Sequence, residues 1–316
     1  MKILVTATNY SKYCQAGKQR LLDAGCEIIE NTNDRPFTFE ELKELVTDVD
    51  GVIAGVDTWN EDVFALAKKL KVLARFGVGV DNFDLEAAKR HGIVVCNCPG
   101  INTTAVAEHA VALILGLTRQ IVWLNQEAKG GNWPRIMMHE LRSSTVGVLG
   151  FGAIGRNVCE KLKAFSPTLI AYDKYPNREE ADRLGVEIVS FEEVLERSDV
   201  ISIHLPALPE TIGIINTQNI ARMKNGVYLV NTARGSLVKE KDVIEAIESG
   251  KIAGFGTDVY ESEPVTMENP LLSNSRVITT PHTAAETYEN CETTSLVTAE
   301  IVLDVLHGRK PKNQLV

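Results

Sequence analysis

Three stretches in the second half of the sequence carry side chains that suit anion binding and proton transfer. NTARGSLV contains Arg234, DVYESEP contains Glu263 and TPHTAA contains His282. A guanidinium can anchor a carboxylate and polarise a carbonyl oxygen, and a histidine with an ordinary pKa of about 6.5 can exchange a proton at neutral pH. A glutamate beside that histidine favours the imidazolium and orients the ring. The three residues therefore predict a site that binds an anion and moves a proton.

A glycine-rich turn near the middle of the sequence predicts a nucleotide. In VGVLGFGAIGRN, Gly150, Gly152 and Gly155 follow a β-branched strand and open a helix, and Asp173 ends the next strand. The glycines allow a tight turn, close approach to a pyrophosphate and close helix–strand packing, while the acidic residue binds the ribose hydroxyls and repels a 2′-phosphate. We therefore expect NAD rather than NADP. Lys174 either softens that preference or is a solvated surface lysine.

The two patterns together indicate hydride transfer between NAD and a hydroxy acid. That reaction requires an anchored anion, a polarised carbonyl and a proton donor or acceptor. Ligands of doubly wound sheets gather beyond the carboxyl ends of the strands, and all three catalytic candidates follow predicted strands.

Short apolar strands alternate with helical segments along the whole chain, which predicts two doubly wound parallel sheets covered by helices. Thr38 and Glu41 form a predicted capping box at one helix start. A long apolar helix is expected from Thr103 or Thr104 to about Lys129, lying between domains or between subunits. A last helix, at about 286–307, is expected to return to the first domain.

Composition excludes several classes of protein. The net charge of −9 argues against a nucleic-acid partner. The longest apolar run, AVALILGL, is too short to span a membrane, and MKILVTATNY does not resemble a signal peptide, so we expect a cytoplasmic protein. No metal site is predicted, and we expect reduced, mostly buried thiols at Cys14, Cys26, Cys96, Cys98, Cys159 and Cys291.

Nearly the whole sequence resembles the D-isomer-specific 2-hydroxyacid dehydrogenase family, in its phosphoglycerate dehydrogenase-like branch. The resemblance rests on ARFGVGVDNFDLEAAKRHGIVVCN, PGINTTAVAEHAVAL and GNWPR, together with the glycine turn, HLPALPET, NTARGSLV, DVYESEP and TPHTAAET. It implies a discontinuous flavodoxin-like substrate domain (residues 1–98 and 287–316) and an inserted Rossmann NAD-binding domain (residues 99–286). It also implies a homodimer that pairs through the long helix.

The resemblance assigns roles to individual residues. Arg234 is then the catalytic arginine, and Glu263 pairs with His282, the proton donor and acceptor. The predicted cofactor contacts are Gly150, Gly152, Ala153, Ile154, Gly155, Asp173, His204, Leu205, Pro206, Thr211, Thr232, Ala233, Asp258 and Ala285. The substrate carboxylate is expected on the backbone amides of Gly77, Val78 and Gly79.

The substrate is expected to be a small anionic 2-hydroxy or 2-oxo acid. Arg75 and Arg135 match arginines that help to bind 3-phosphoglycerate, although surface or interdomain salt bridges are the alternative. Ala54–Gly55 departs from the Arg-Ser of many phosphoglycerate dehydrogenases, so hydroxypyruvate, glyoxylate or another 2-oxo acid stays open as the substrate.

Because Glu263 stands where related formate dehydrogenases carry glutamine, formate is disfavoured. Phosphite and an NADH-sensing co-repressor are further alternatives. Since the sequence ends at Val316, we expect no feedback control by a bound amino acid.

Overall fold

The computed structural model describes residues 1–33 and 35–316. Its strands are β1 (Lys2–Val5), β2 (Glu27–Glu30), β3 (Gly51–Ala54), β4 (Val72–Arg75), β5 (Val94–Cys96), β6 (Thr145–Leu149), β7 (Thr168–Tyr172), β8 (Glu187–Ile188), β9 (Val200–Ile203), β10 (Val227–Asn231), β11 (Ile252–Thr257) and β12 (Val277–Thr279). Its α-helices are α1 (Tyr10–Tyr13), α2 (Gln15–Asp23), α3 (Phe39–Leu45), α4 (Glu61–Leu66), α5 (Leu85–Arg90), α6 (Thr103–Thr118), α7 (Ile121–Lys129), α8 (Ala153–Leu162), α9 (Arg178–Leu184), α10 (Phe191–Arg197), α11 (Thr217–Arg222), α12 (Glu240–Glu248), α13 (Pro270–Ser273) and α14 (Tyr288–Leu306). The chain divides into unit 1, residues 1–102 and 286–316, and unit 2, residues 103–285.

Unit 1 is built on a five-stranded parallel sheet in the order β2-β1-β3-β4-β5. Along β1, Ile3 and Val5 pack into the core on one face and Leu4 packs into the core on the other. A parallel sheet buried on both faces requires such apolar strands. Helix α14 covers the face of Ile3 and Val5 and packs against α2, where a Cβ on Gly17 would lie 2.4 Å from the carbonyl oxygen of Ser295. The C-terminal helix is thus part of the first core.

Unit 2 is built on a seven-stranded parallel sheet in the order β12-β11-β10-β9-β6-β7-β8. The strand order reverses beside β6, between its neighbours β9 and β7, and this switch point is where doubly wound sheets bind ligands. The predicted fold class, two doubly wound parallel sheets, is confirmed. The predicted capping box is also present, because the Thr38 hydroxyl accepts from the Glu41 amide and the Glu41 carboxylate accepts from the Thr38 amide.

The expectation of one long helix ending near Lys129 is wrong. The helix breaks into α6 and α7, which are bent by 59°, and Gln120 between them is left-handed with φ 47°. Helix α6 packs against α8 and the sheet, whereas α7 buries none of its residues. The break therefore falls where the apolar packing surface ends. Among the described residues no single helix is long and apolar enough to cross a membrane, and only α6 and α7 counted together across the bend reach that length and composition.

Candidate active site

The glycine turn after β6 has the shape that a dinucleotide requires. Gly150 has φ 99°, and a Cβ there would lie 2.5 Å from the carbonyl oxygen of His204. A Cβ on Gly155 would lie 2.0 Å from the carbonyl oxygen of Gly150, so only glycine lets α8 approach the turn this closely. At Gly152, by contrast, no atom lies within 4 Å of the Cβ position. Two of the glycines thus serve packing, and the third leaves open space for a ligand.

The helix that follows presents its N-terminus to that space. Helix α8 begins at Ala153, and its N-cap residue, Gly152, provides no side-chain cap. The first turn contains Ala153 and Ile154, two of the predicted cofactor contacts. Uncapped amide groups at the positive end of a helix bind phosphate. The open cradle and the uncapped helix fit a dinucleotide pyrophosphate.

Asp173 lies beside the same turn, at the end of β7. Its Oδ2 accepts a hydrogen bond from the Phe151 amide at 2.7 Å, and its Oδ1 accepts from the Tyr175 amide at 2.8 Å. These bonds fix the carboxylate where the ribose hydroxyls of a bound dinucleotide would be expected. The neighbouring Lys174 pairs with Glu210 at 3.3 Å, so its charge is partly neutralised.

His204 and Thr211, two of the predicted cofactor contacts, lie in the loop after β9. The His204 Nε2 atom lies 2.8 Å from the Ser202 hydroxyl, and burial lowers the pKa of His204 to about 4, so this ring is neutral at pH 7. The Thr211 hydroxyl accepts from the Leu208 amide at 2.8 Å and donates to the Pro206 carbonyl at 2.6 Å. Thr211 thus closes the loop that carries Pro206.

The loop after β10 leaves one polar atom without a partner. The Thr232 hydroxyl is buried and has no hydrogen-bond partner among the described residues. Next to it, the Ala233 amide donates to the Asn231 side chain at 3.0 Å, and Leu205, at the neighbouring strand end, is buried. A buried hydroxyl without a partner is costly, which fits a site that a bound cofactor completes.

His282 and Glu263 form a hydrogen-bonded pair whose chemistry suits proton transfer. The His282 Nδ1 atom lies 2.6 Å from Glu263 Oε2, and the histidine side chain is half exposed. The backbone amide of Tyr260 donates to Glu263 Oε1 at 2.9 Å, which fixes the carboxylate. Since Nδ1 is bonded to the carboxylate, Nε2 is the ring atom left for a substrate.

The charges around this pair shift both pKa values. The hydrogen bond to Glu263 raises the pKa of His282; burial and the Arg234 charge oppose the rise, and the charges of Glu263 and Asp258 add to it. Burial alone would raise the pKa of Glu263, but the hydrogen bonds from His282 and Tyr260 and the nearby cations outweigh it, so this pKa is lowered. The geometry therefore favours an imidazolium–carboxylate pair.

Arg234 belongs to the same site, because its charge acts on both members of the pair. Asn231, fully buried at the end of β10, donates from its side chain to the Arg234 carbonyl at 2.9 Å. A Cβ on Gly235 would lie 1.8 Å from the Tyr260 carbonyl oxygen. Packing therefore requires glycine directly after Arg234.

Asp258 holds the turn that carries His282. Its Oδ1 accepts from the Thr283 amide at 2.9 Å and its Oδ2 from the Ala284 amide at 2.8 Å. His282 itself has φ 54°, a left-handed conformation that is uncommon outside glycine. The structure thus shows Asp258 organising the turn, in addition to the cofactor contact that the sequence predicts for it. Ala285 follows the turn directly.

In unit 1, Arg75 is engaged by backbone. Its Nε donates to Gly79 O at 2.7 Å, and its Nη1 donates to Gly55 O at 2.8 Å and to Ala54 O and Phe76 O at 3.2 Å each. The guanidinium therefore ties the loop after β3 to the loop after β4.

The same loop carries the predicted carboxylate-binding amides. The Gly77 amide donates to Arg75 O at 2.8 Å, whereas no backbone acceptor is found among the described residues for the amides of Val78 and Gly79. At the Ala54–Gly55 departure, Ala54 is fully buried, and a Cβ on Gly55 would lie 3.0 Å from Ala7 Cα. Ala54 is therefore enclosed, and a side chain at position 55 would crowd the backbone of Ala7.

Arg135 lies on an exposed segment of unit 2. The side chain is exposed, and it has neither an ion pair nor a hydrogen bond among the residues that the structure describes. Its guanidinium is therefore available to an anion.

The sequence did not indicate the residues that hold the candidate catalytic residues in place. Asn231 orients the Arg234 backbone, and the Tyr260 hydroxyl donates to the Thr280 carbonyl at 3.0 Å. An asparagine at a strand end is a recognisable turn signal, so Asn231 could have been found. The partners of Tyr260 and Thr280 depend on which loops meet, and no sequence spacing indicates them.

The model of one protein family matches residues 111–284, and its description is D-isomer specific 2-hydroxyacid dehydrogenase, NAD binding domain. A D-3-phosphoglycerate dehydrogenase of Archaeoglobus fulgidus is 42% identical over 277 residues, which cover 87% of this chain and 53% of that protein. The chain spans about half the length of the curated relatives that it matches. The match of residues 111–284 confirms NAD as the predicted cofactor.

Solved structures match the chain over its whole length. The TT0316 protein of Thermus thermophilus is 34% identical with a TM-score of 0.91, and all of both chains is covered. The apo-structure of D-lactate dehydrogenase from Escherichia coli is 33% identical with a TM-score of 0.89, again over all of both chains. Both units of the fold therefore recur together in known proteins.

Proposed function

Because the chain belongs to the D-isomer specific 2-hydroxyacid dehydrogenase family, we propose that it is an NAD-dependent oxidoreductase that interconverts a 2-hydroxy acid and its 2-oxo acid. The observation that carries this proposal is the 2.6 Å bond between His282 Nδ1 and Glu263 Oε2, in the same unit as the glycine turn. That bond fixes the orientation of the His282 ring and supports its role as proton donor and acceptor.

Each catalytic residue has one task. In the oxidation direction, neutral His282 accepts the substrate hydroxyl proton at Nε2, and Glu263 stabilises the imidazolium that forms. In the reduction direction, the imidazolium returns this proton to the carbonyl oxygen. Arg234 stabilises the partial negative charge that develops on that oxygen, or it binds the carboxylate of the substrate. When bound, NAD supplies the hydride acceptor or, in its reduced form, the donor.

We propose 3-phosphoglycerate as the leading substrate. Several relatives named D-3-phosphoglycerate dehydrogenase are about 40% identical to this chain, and the exposed Arg135 offers a cation to a phosphate. For Arg75, the four bonds to carbonyl oxygens favour a role in shaping the loop that carries Val78 and Gly79. Hydroxypyruvate, glyoxylate and other 2-oxo acids such as pyruvate are the alternatives.

A panel of 2-oxo acids tests the proposal. Steady-state reduction of 3-phosphohydroxypyruvate, hydroxypyruvate, glyoxylate and pyruvate is measured with NADH and with NADPH. We expect turnover of at least one acid, fastest with 3-phosphohydroxypyruvate, and a preference for NADH because of Asp173. The proposed activity is wrong if no acid is reduced with either cofactor, and the proposed substrate is wrong if another acid is reduced with a higher kcat/KM.

We also propose that the chain is a homodimer. Apolar side chains of α7 and the segment after it are exposed, including Ile121, Val122, Trp133 and Met137. Large exposed apolar residues in one stretch of the chain are typical of an interaction surface, and a second copy of the chain is the proposed occupant. A cytoplasmic location is proposed as well, supported by six cysteines that are all free and buried.

A further inference from the structure

The Thr280 hydroxyl lies at the centre of a hydrogen-bond chain in unit 2. It lies 2.6 Å from Asp258 Oδ1 and 2.9 Å from the His109 Nε2 atom of helix α6. An ionised carboxylate only accepts hydrogen bonds, and a hydroxyl has a single hydrogen to donate. Thr280 therefore donates to Asp258, and His109 Nε2 must carry a hydrogen and donate to Thr280. This order fixes the tautomer of His109.

The chain continues into the turn that carries His282. Asp258 receives the backbone amides of Thr283 and Ala284, on one side of the catalytic histidine. On the other side, the Thr280 carbonyl accepts from the His282 amide at 3.1 Å. Thr280 is thus bound through its side chain and its backbone.

The turn needs this support because of its geometry. His282 is left-handed, with φ 54°, and a non-glycine residue stays in that region only when its surroundings hold it there. The turn carries the His282 ring, so relaxation of the turn would disturb the hydrogen bond of 2.6 Å between Nδ1 and Glu263. The orientation of Nε2 toward a substrate is lost with it.

We propose that His109 is a positioning residue for the proposed reaction. It donates to Thr280, Thr280 donates to Asp258, and Asp258 accepts from the amides of the turn that orients His282. This inference rests on the proposed function of His282. His109 lies about one quarter exposed and 3.8 Å from Asp258 Oδ1, and it contacts the turn through Thr280 rather than through the catalytic pair itself.

A packing role for His109 makes a different prediction. If the ring only filled space in α6, an aromatic ring without a donor would replace it. If the ring acts as a donor, a glutamine, whose side-chain amide reaches about as far as Nε2, is the better replacement. His109→Phe and His109→Gln therefore separate the two roles. Thr280→Val and Thr280→Ser form a second pair, since only serine keeps the hydroxyl.

The experiment measures kcat, KM and the NADH Kd of the holoenzyme, with the pKa of His282 from an NMR titration of its Cε1–H. The charged groups that act on His282 are Glu263 and Asp258, which raise its pKa, and Arg234, which lowers it. We expect His109→Phe to lower kcat by about 10- to 100-fold, as small misplacements of a catalytic group do. The NADH Kd should stay unchanged and the His282 pKa should fall. His109→Gln should bring kcat and the His282 pKa most of the way back to their wild-type values.

The inference is overturned if His109→Phe keeps the wild-type kcat and His282 pKa, or if His109→Gln is no better than His109→Phe. If His109→Phe does not fold, the two Thr280 variants test the same point. Thr280→Val should lower kcat and the His282 pKa, and Thr280→Ser should not. If the wild-type protein reduces no 2-oxo acid, the proposed function fails, and the His282 titration still tests the positioning role by itself.

Discussion

His282 and Glu263 share a hydrogen bond whose effects on their two pKa values have opposite signs. The bond raises the pKa of the histidine and lowers that of the glutamate. Each partner thus favours the charged form of the other. At the scale of single residues, this coupling favours the imidazolium, which is the form of the histidine that can donate a proton.

Glu263→Gln should shift the pH dependence of catalysis. The substitution removes the acceptor charge, so the His282 pKa falls. Oxidation needs a neutral ring, and its rate rises as pH increases through this pKa, so the rising limb should move to lower pH. Reduction needs the imidazolium, so its falling limb should move to lower pH as well. Profiles of kcat/KM against pH in both directions test this.

Glu261→Gln is the matched control, because Glu261 lies in the same loop and is exposed. Its profiles should match those of the wild type. Unchanged limbs in Glu263→Gln would mean that the carboxylate does not set the pKa of His282.

His282→Ala should lower kcat strongly and leave cofactor binding intact. Proton transfer by a positioned side chain contributes about 10²–10⁴-fold to a rate, and the glycine turn and Asp173 are untouched by the substitution. Steady-state rates and NADH fluorescence titration measure the two effects. His139→Ala, at an exposed histidine of the same unit, should behave as wild type. Near-normal turnover of His282→Ala would remove the histidine from the mechanism.

At the scale of single residues, the sequence indicated the candidate catalytic residues but not the residues that hold them in place. Arg234, Glu263 and His282 each follow a strand of one parallel sheet, and strand ends on one edge meet in any doubly wound fold. The roles of Thr280 and Tyr260 depend on backbone turns whose conformation no residue spacing reveals. Their contacts were found only from the structure.

At the scale of elements, the glycine turn and helix α8 form one structural unit. Gly150 and Gly155 allow the helix to approach the strand end, while Gly152 lines open space. The three glycines therefore differ in what an added methyl group would meet.

Alanine substitutions should separate these roles. Gly155→Ala places a Cβ 2.0 Å from the Gly150 carbonyl, so we expect a loss of about 1–3 kcal/mol of stability, typical of overpacking, and a lower Tm. Gly152→Ala should keep the wild-type Tm and weaken NADH binding by on the order of tenfold, or about 1.4 kcal/mol, because the methyl group occupies the pyrophosphate approach. Thermal unfolding and NADH titration measure both. Equal Tm losses in the two variants would contradict the assignment.

The bend at Gln120 shows where element prediction failed. Apolar residues continue past Thr118 in Ile121, Val122 and Leu124, so periodicity alone predicts one helix. The break depends on tertiary packing, since α6 lies on the sheet and α7 does not. A pattern of apolar residues indicates a buried face without showing what covers it.

At the scale of the whole molecule, the alternation of strands and helices was enough to predict two doubly wound sheets. The same alternation left the last helix without a strand partner in the second sheet, and α14 indeed packs on the sheet of unit 1. Long-range assembly of this kind was predictable because each sheet needs both faces covered.

The proposed dimer can be tested through its exposed apolar residues. Trp133 and Met137 are 84% and 95% exposed, and changing both to glutamate would place unpaired charges in the proposed interface, at a high desolvation cost. Sedimentation analysis should show a dimer for the wild type and a monomer for the double variant. Met267→Glu, at an apolar residue that is 85% exposed in another loop, should stay dimeric. A monomeric wild type, or a dimeric double variant, would contradict the proposal.

Isotope transfer tests the central claim most directly. The protein is incubated with NADH deuterated at the transferable position of C4 and with the 2-oxo acid that it reduces fastest, and the product is analysed by mass spectrometry and on a chiral column. The predicted result is a D-2-hydroxy acid that carries deuterium at C2, formed by the wild type and at least about 100-fold more slowly by His282→Ala. A product without deuterium, or no product from any 2-oxo acid, would contradict the assignment of this molecule as an NAD-dependent 2-hydroxyacid dehydrogenase.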